Sequence, residues 1–295
     1  MGLMLLGPKL SEEPYSTSDL RLLESVGVQT VLSLEIGELA HNFAEKAAQR
    51  ERIQREIEIA HEVQERLFPQ SVPSLPGLDL AGNCRPASSV GGDYYDIFQL
   101  NDERLALAIS DISGKGISAA LLMASLRASL RSIAEDNSGD LPHLMSKLNR
   151  QVYQASAANR YATFFSAVFT PSTLQLRYVN AGHNAPFIIR ERAEPLRLET
   201  GGTVVGLLKE SAYLEGTVQL QPGDVFVAYT DGISEAMTID EEEWGEQRMI
   251  ARSMAALELS ANEILQGVMN AADDFVQDAA QHDDMTLIVM KLSSA

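Results

Sequence analysis

Cysteine occurs once in the 295 residues, at Cys84. No intrachain disulfide can therefore form, and five scattered histidines (His41, His61, His143, His183, His282) with one thiol exclude a Cys-rich zinc module. Positive charge is scarce: 23 Lys and Arg against 41 Asp and Glu leave a formal net charge of −18. Such a balance speaks against a broad nucleic-acid surface and suits the binding of cations. The opening MGLMLLGPKL lacks a basic lead and breaks at Gly7-Pro8, and no later run reads as the ~18 apolar residues of a membrane span. The expectation is a cytoplasmic protein with neither membrane nor nucleic acid among its partners. Also missing are a G-x-S-x-G nucleophile elbow, a C-x5-R signature at Cys84 and a P-loop. What remains is ordinary for a soluble chain, 45% hydrophobic and 22% charged, long enough for about two domains of roughly 150 residues or one larger domain with an appended segment.

Proline is absent from Asp19 to Phe68, and Ser16 to Asp19 offer capping chemistry for a long helix that Pro69, Pro73 and Pro76 stop. Positions 32, 36, 39, 43, 46, 50, 53, 57, 60, 64 and 67 alternate steps of four and three. Leu32, Ile36, Leu39, Phe43, Ile53, Ile57, Ala60 and Leu67 make a coiled-coil-like seam, which Lys46, Arg50 and Gln64 interrupt. The seam predicts a parallel homodimer through residues 19–67, with Ile59, Val63 and Leu67 packing on the domain that follows. Ahead of it, Leu3 to Leu6 reads as a strand.

Beyond the prolines the pattern changes. Strands are predicted at 78–83, 95–100, 104–110, 164–169, 174–180, 187–190, 216–220, 224–229 and 285–292, and helices at 119–135, 141–156, 246–254 and 261–280. Asn101-Asp102 and Pro171-Ser172 are turn signals between strands, so the sheet is expected to be largely antiparallel. Strands in runs with helices inserted in pairs point to an α+β fold.

The chemistry lies in aspartates beside strands or in tight Gly/Ser turns: Asp93 and Asp96 in GGDYYD, Asp111 in AISDISGKG, Asp231 in AYTDGISE, Asp283 and Asp284 in HDDMT. Any one of them can cap a turn. Gathered together they repel unless a cation neutralises them, and Mg²⁺ or Mn²⁺ seek oxygen ligands. His183 and Asn184 in NAGHNAP read as a hydrogen-bonded loop, and His282 as solvated rather than a ligand. The acidic run Asp240 to Glu243, with Trp244, reads as a solvated flap, and Arg127 and Arg131 as an exposed cationic face.

In order, HEVQERLFP, GGDYYD, SDISGKGISAALLMA, ATFFSAVF, NAGHNAP, PGDVFVAYTDGISEA and DDMTLIVMK resemble the PPM-type metal-dependent Ser/Thr protein phosphatases, in their bacterial SpoIIE-like branch, from about Glu58 to Leu292. The resemblance implies an α-β-β-α sandwich carrying two ions, Mn²⁺ or Mg²⁺. It implies Asp93 as the bridging ligand with Asp111, Asp231 and Asp283 as further ligands, Asp284 and Asp96 less directly, and Gly92 and Ile112 as sources of backbone carbonyls. It further implies in-line attack of an activated water on phosphoserine or phosphothreonine, with a phosphorylated STAS-type anti-sigma-factor antagonist as substrate. None of Arg85, Arg127 or Arg160 is assignable as a phosphate holder. The N-terminal stretch resembles the last strand and final helix of a GAF sensor. The implied organisation is residues 1–40 as a partial GAF-like end, 41–68 as a helical signalling linker and 69–295 as the phosphatase domain.

Two rival readings follow from the residues. Gly114 to Ala119 fits G-x-G-x-x-A between a strand and a helix, with Glu135 about twenty residues on, the pattern of a nucleotide-binding enzyme. A catalytically silent module that keeps the fold and binds a partner is the other, and the complete aspartate set argues against it.

Overall fold

The computed structural model describes residues 5–100, 104–137, 139–156 and 160–293. The chain divides into two units, Met1–Glu58 and Ile59–Ala295.

The first unit is built on α1 (Thr17–Glu65), whose last turn belongs to the second. The helix starts at Ser16, which meets Asp19 reciprocally. Asp19 Oδ2 accepts from the Ser16 amide at 2.8 Å and hydroxyl at 2.7 Å, while the Asp19 amide donates to Ser16 Oγ at 3.3 Å. This capping box satisfies amides that the first turn leaves without partners. Leu32, Ile36, Leu39, Phe43 and Ile53 of the seam are all exposed. The strand expected at residues 3–6 is not found where it can be seen: Leu5 and Leu6 lie in no strand and are exposed, while residues 3 and 4 fall outside the described residues. A lone extended segment has no neighbour to pair with.

The second unit is a four-layered α-β-β-α sandwich. One sheet has the order β1 (Leu78–Arg85), β11 (Met285–Leu292), β10 (Val225–Tyr229), β6 (Phe187–Ile189), β7 (Leu196–Arg197). The other runs β2 (Tyr94–Gln99), β3 (Leu105–Ile112), β4 (Ala162–Thr170), β5 (Gln175–Ala181), β8 (Gly201–Gly202), with β9 (Gly216–Gln219) also on β5. All the pairings are antiparallel except β5 with β8. Period-two alternation sorts the side chains into layers. In β3, Leu105, Leu107 and Ile109 face the other sheet, while Ala106 and Ala108 make room for α2 (Ile117–Asn137) and α3 (Leu141–Ala155). In β11, Ile288, Met290 and Leu292 face inward, and Met285, Leu287 and Val289 meet α5 (Glu246–Met254) and α6 (Ala261–Val276).

Every predicted strand and helix of this unit is present within a few residues. β7, β8 and the four-residue α4 (Asp231–Ser234) are additional, being too short to leave a periodic signal. The turn at Pro171-Ser172 joins β4 to β5, whereas Asn101-Asp102 lies outside the described residues. Four expectations change. Residues 117–135 of α2 are long and apolar enough to cross a membrane, contrary to the reading of the sequence, but Leu122, Met123, Leu126 and Leu130 pack them into the core of this unit. Ile59 and Val63 are exposed, at 61% and 57%. The face that turns inward carries Gln64, which is buried, and is followed by half-buried Leu67 and Phe68. Helical spacing puts 60, 64 and 67 on one side and 59 and 63 on another. Trp244 is buried against α5 and α6 although the acidic run before it is exposed.

Candidate metal centre

Antiparallel pairing places strand starts beside strand ends. Tyr94 at the start of β2 pairs with Ser110 near the end of β3, and Tyr229 at the end of β10 pairs with Leu287 near the start of β11. Asp93 therefore stands near Asp111, and Asp231 near Asp283 and Asp284. The sequence reading set these carboxylates beside strands or in tight Gly/Ser turns, and the structure shows on which side each stands: Asp111 is next to last in β3, Asp231 follows β10 after one residue, and Asp93, Asp283 and Asp284 come just before strands. All nevertheless reach one end of the sandwich.

Asp93 is buried, and its Oδ2 accepts hydrogen bonds from Thr230 Oγ1 at 2.7 Å and Thr286 Oγ1 at 2.6 Å. Both threonines come from the opposite sheet, so Asp93 joins the two sheets at this end. Its carboxyl is held well above the usual range by burial first, then by the charges of Asp111 and Asp284. Asp111 is pushed up to about 7 by burial, then by Asp231, Asp283 and Asp284. Asp231, at the first residue of α4, is raised by burial and by Asp283. One cation answers this field in part: Lys115 Nζ sits 2.9 Å from Asp283 and donates to the His282 carbonyl at 2.6 Å. Among the described residues, no three Asp, Glu, His or Cys side chains stand at coordinating spacing around one point. The cluster is an open acidic basin. Its donor set is all oxygen, its carboxylates are under mutual repulsion, and a lysine ammonium already rests against it, all of which fit hard divalent cations.

Asp284 has a different task. Its Oδ1 accepts from the Ala87 amide at 2.7 Å, and its Oδ2 from the Gly92 amide at 2.7 Å and the Asp93 amide at 3.3 Å. A Cβ on Gly91 would collide with this carboxylate, so only glycine lets the loop close over it. Asp284 thereby shapes the loop that delivers Asp93. Ile112 is buried, and its carbonyl faces Gly92, where an added Cβ would come within 3.0 Å of it.

Asp96 is not brought into the basin. It is buried and engaged by Arg131, with Nε to Oδ2 at 2.7 Å and Nη2 to Oδ1 at 2.6 Å, and by the Tyr94 hydroxyl at 2.7 Å. Arg131 also lies over the Phe98 ring, 3.9 Å from its centroid. The expected exposed cationic face is thus corrected: Arg131 pairs inward, and Arg127 is half-buried with a buried Nε that has no partner among the described residues. A buried carboxylate selects a cation on the neighbouring helix, a pairing that sequence spacing does not announce.

His183 is structural, as expected. Asn180 grips the loop from both sides, accepting from the His183 amide at 2.8 Å and donating to its carbonyl at 3.0 Å. His183 Nδ1 meets Thr163 Oγ1 at 2.8 Å, and Thr163 in turn braces the Asp111 backbone. Nε2 makes no hydrogen bond of ordinary geometry, although the Tyr229 carbonyl acts on the ring. His282 is exposed. Arg85 is paired with Asp273 at 2.6 and 2.8 Å, and Arg160 donates to the Ser113 carbonyl at 2.6 Å, so neither guanidinium reaches into the basin unencumbered. Reading the sequence missed Thr230, Thr286, Lys115 and Gln64. The first two stand in AYTDG and DDMT, next to residues already singled out.

The Gly114–Ala119 stretch does lie between β3 and α2, with Gly114 and Gly116 at φ of 97° and 75°. A dinucleotide site needs a second strand parallel to the first, however, and here α2 leads to α3 and then to β4, antiparallel to β3. Glu135 lies within α2. The nucleotide reading is set aside.

Two sheets packed face to face, helix pairs on both outer faces and carboxylates gathered at one end define a PP2C-type domain. The structure matches the SiaA-PP2C domain of Pseudomonas aeruginosa with a TM-score of 0.74 at 19% identity, covering 84% of this chain and 99% of that one. Within that class the chain belongs to the SpoIIE family: residues 101–293 match the family model described as Stage II sporulation protein E (SpoIIE). It is 33% identical over 243 residues to the phosphoserine phosphatase RsbU of Bacillus subtilis, covering 81% of this chain and 70% of RsbU. It is 29% identical over 261 residues to protein IcfG of Synechocystis, covering 80% of this chain but only 41% of IcfG.

Proposed function

We propose that this chain is a divalent-metal-dependent phosphatase acting on phosphoserine or phosphothreonine of a regulatory protein. The observation that carries the reading is the basin of Asp93, Asp111, Asp231 and Asp283, carboxylates gathered at one end of the sandwich whose mutual repulsion divalent cations would relieve. Asp93, Asp111, Asp231 and Asp283 would hold two ions, Mn²⁺ or Mg²⁺, with the Ile112 carbonyl as a further oxygen and Asp284 positioning the Asp93 loop. When bound, such ions supply neutralising charge, polarise phosphoryl oxygens and activate water. The chain's own part is to hold the carboxylates together at one end of the sandwich: Thr230 and Thr286 fix Asp93 Oδ2, and Thr163 braces the Asp111 backbone. No side-chain nucleophile is required.

The substrate is read as a phosphorylated STAS-type antagonist of an anti-sigma factor in a partner-switching pathway, a reading supported by family membership and likeness to RsbU. Residues 1–40 are read as the end of a GAF-like sensor, 41–68 as a linker that pairs in a homodimer and 69–295 as the phosphatase. A cytoplasmic setting suits the free Cys84, whose thiol burial pushes up. The test is phosphate release from phosphoserine protein with Mn²⁺ present. Activity is expected to vanish after exhaustive EDTA treatment and to return with Mn²⁺. Activity that survives EDTA overturns the proposal, and absence of any release under Mn²⁺ favours the silent module.

A further inference from the structure

Beside the basin lies a cleft of about 370 Å³ that the chemistry above does not use. It opens between the segment from Gly232 to Met237 and the segment from the end of α6 to Met285, and it shares Asp283 with the basin. A phosphoryl group held by the carboxylates would bring its neighbouring residues to this opening. The walls are largely apolar, with Ala236, Met237, Val276 and Ala279 among them. The volume is at the low end of the about 300 to 1,000 Å³ of ligand pockets and leaves room for one or two side chains. The cleft's one arginine, Arg85, is committed to Asp273. Glu235 at the rim is exposed and forms no ion pair among the described residues; Asp231, Glu243 and Asp283 add to its negative field.

We propose that this cleft is a specificity subsite of the phosphatase, taking an aliphatic residue and a basic residue that flank the phosphorylated serine. This inference rests on the phosphatase reading and names what that site selects. The aliphatic side chain fills the space between Met237 and Val276, and the basic head meets Glu235. The overall charge of −18 reinforces the preference for a cationic segment.

The experiment uses the full chain with Mn²⁺ and three substrates: p-nitrophenyl phosphate, a phosphoserine peptide with leucine and lysine on both sides, and one with glycine and glutamate there. The expected result is a kcat/KM about tenfold or more in favour of the leucine-lysine peptide, the scale at which a filled apolar pocket and a charge discriminate. Ala280→Trp, on an exposed loop at the cleft, and Glu235→Gln should each erode that preference through KM while p-nitrophenyl phosphate turnover stays unchanged. Equal kcat/KM for both peptides, or a preference untouched by either variant, overturns the subsite and leaves the phosphatase reading standing. No hydrolysis of any of the three overturns that reading, and the subsite with it.

Discussion

Gln64 and Gly91 hold one another in both directions: Gln64 Nε2 donates to the Gly91 carbonyl at 2.7 Å, and the Gly91 amide donates to Gln64 Oε1 at 3.0 Å. Gly91 precedes Gly92 and Asp93 and lies against Asp284, so the last turn of α1 grips the loop that delivers a carboxylate to the basin. Gln64→Ala leaves a buried amide and a buried carbonyl without partners, a loss of about 1–3 kcal/mol. Denaturant unfolding should show that loss. Phosphate release should also fall at saturating Mn²⁺, because Asp93 is no longer fixed; unchanged turnover would limit Gln64 to packing.

Asp93→Asn and Asp231→Asn should each reduce turnover by orders of magnitude with the fold intact. Removing a charge from a buried, repulsive cluster relieves desolvation, so the metal-free variants should melt no lower than the parent. Calorimetric Mn²⁺ affinity should drop in both, yet stay unchanged in Asp96→Asn, whose carboxylate serves Arg131 and Tyr94. Undiminished affinity in both of the first two variants would dissolve the ligand assignment.

Asp284→Asn separates scaffold from ligand. An amide presents one acceptor where the carboxylate presents two, and Asp284 accepts from three backbone amides. Loss of one or more of those bonds should cost about 1–3 kcal/mol in urea unfolding. The drop in stability, absent from Asp93→Asn, is the distinguishing mark. Equal stability of the two variants would make Asp284 a ligand like the others.

His183 sets a pH dependence. Burial lowers its imidazole from the ordinary 6.5 to about 4. The folded state therefore holds this ring neutral while the unfolded chain takes up a proton below about 6.5. The contribution of His183 is complete above that pH and is lost as pH falls toward 4, at most about 3 kcal/mol. The raised carboxylates of the basin slope the opposite way, so the quantity to measure is the difference between parent and His183→Gln in unfolding free energy at pH 7.5 and 4.5. The gap should narrow as pH falls; a constant gap would show that the ring does not stay neutral in the fold.

The sandwich was largely legible because its strands are short apolar runs, as in Leu105 to Ile109, bounded by turn residues, and because its helices, such as the one expected at 261–280, keep a helical period. The acidic motifs were legible as motifs. Their assembly was not, since only the register of β2 on β3 and of β10 on β11 shows that strand starts and strand ends share one edge. Gln64 was misread for a related reason. As a polar residue in a heptad-like seam it looks like an interruption, and its partner, Gly91, is 27 residues away in a different element.

The seam itself carries the last prediction. Leu32, Ile36, Leu39, Phe43 and Ile53 are exposed along α1, between 48% and 71% of their surface. An apolar row of that length on a 49-residue helix is costly in water and is covered if a second copy pairs along it. In such a pairing Lys46 and Arg50 would be polar interruptions, which weaken a seam and allow two arrangements closer in energy, as a switch requires. A parallel homodimer through residues 19–67 is therefore expected for the full chain at tens of micromolar. Deleting residues 1–50 removes four of the five exposed seam residues and should give a more monomeric protein with altered specific activity. Light scattering that reports a monomer for the full chain, with unchanged kinetics for the truncation, would leave α1 without a pairing role.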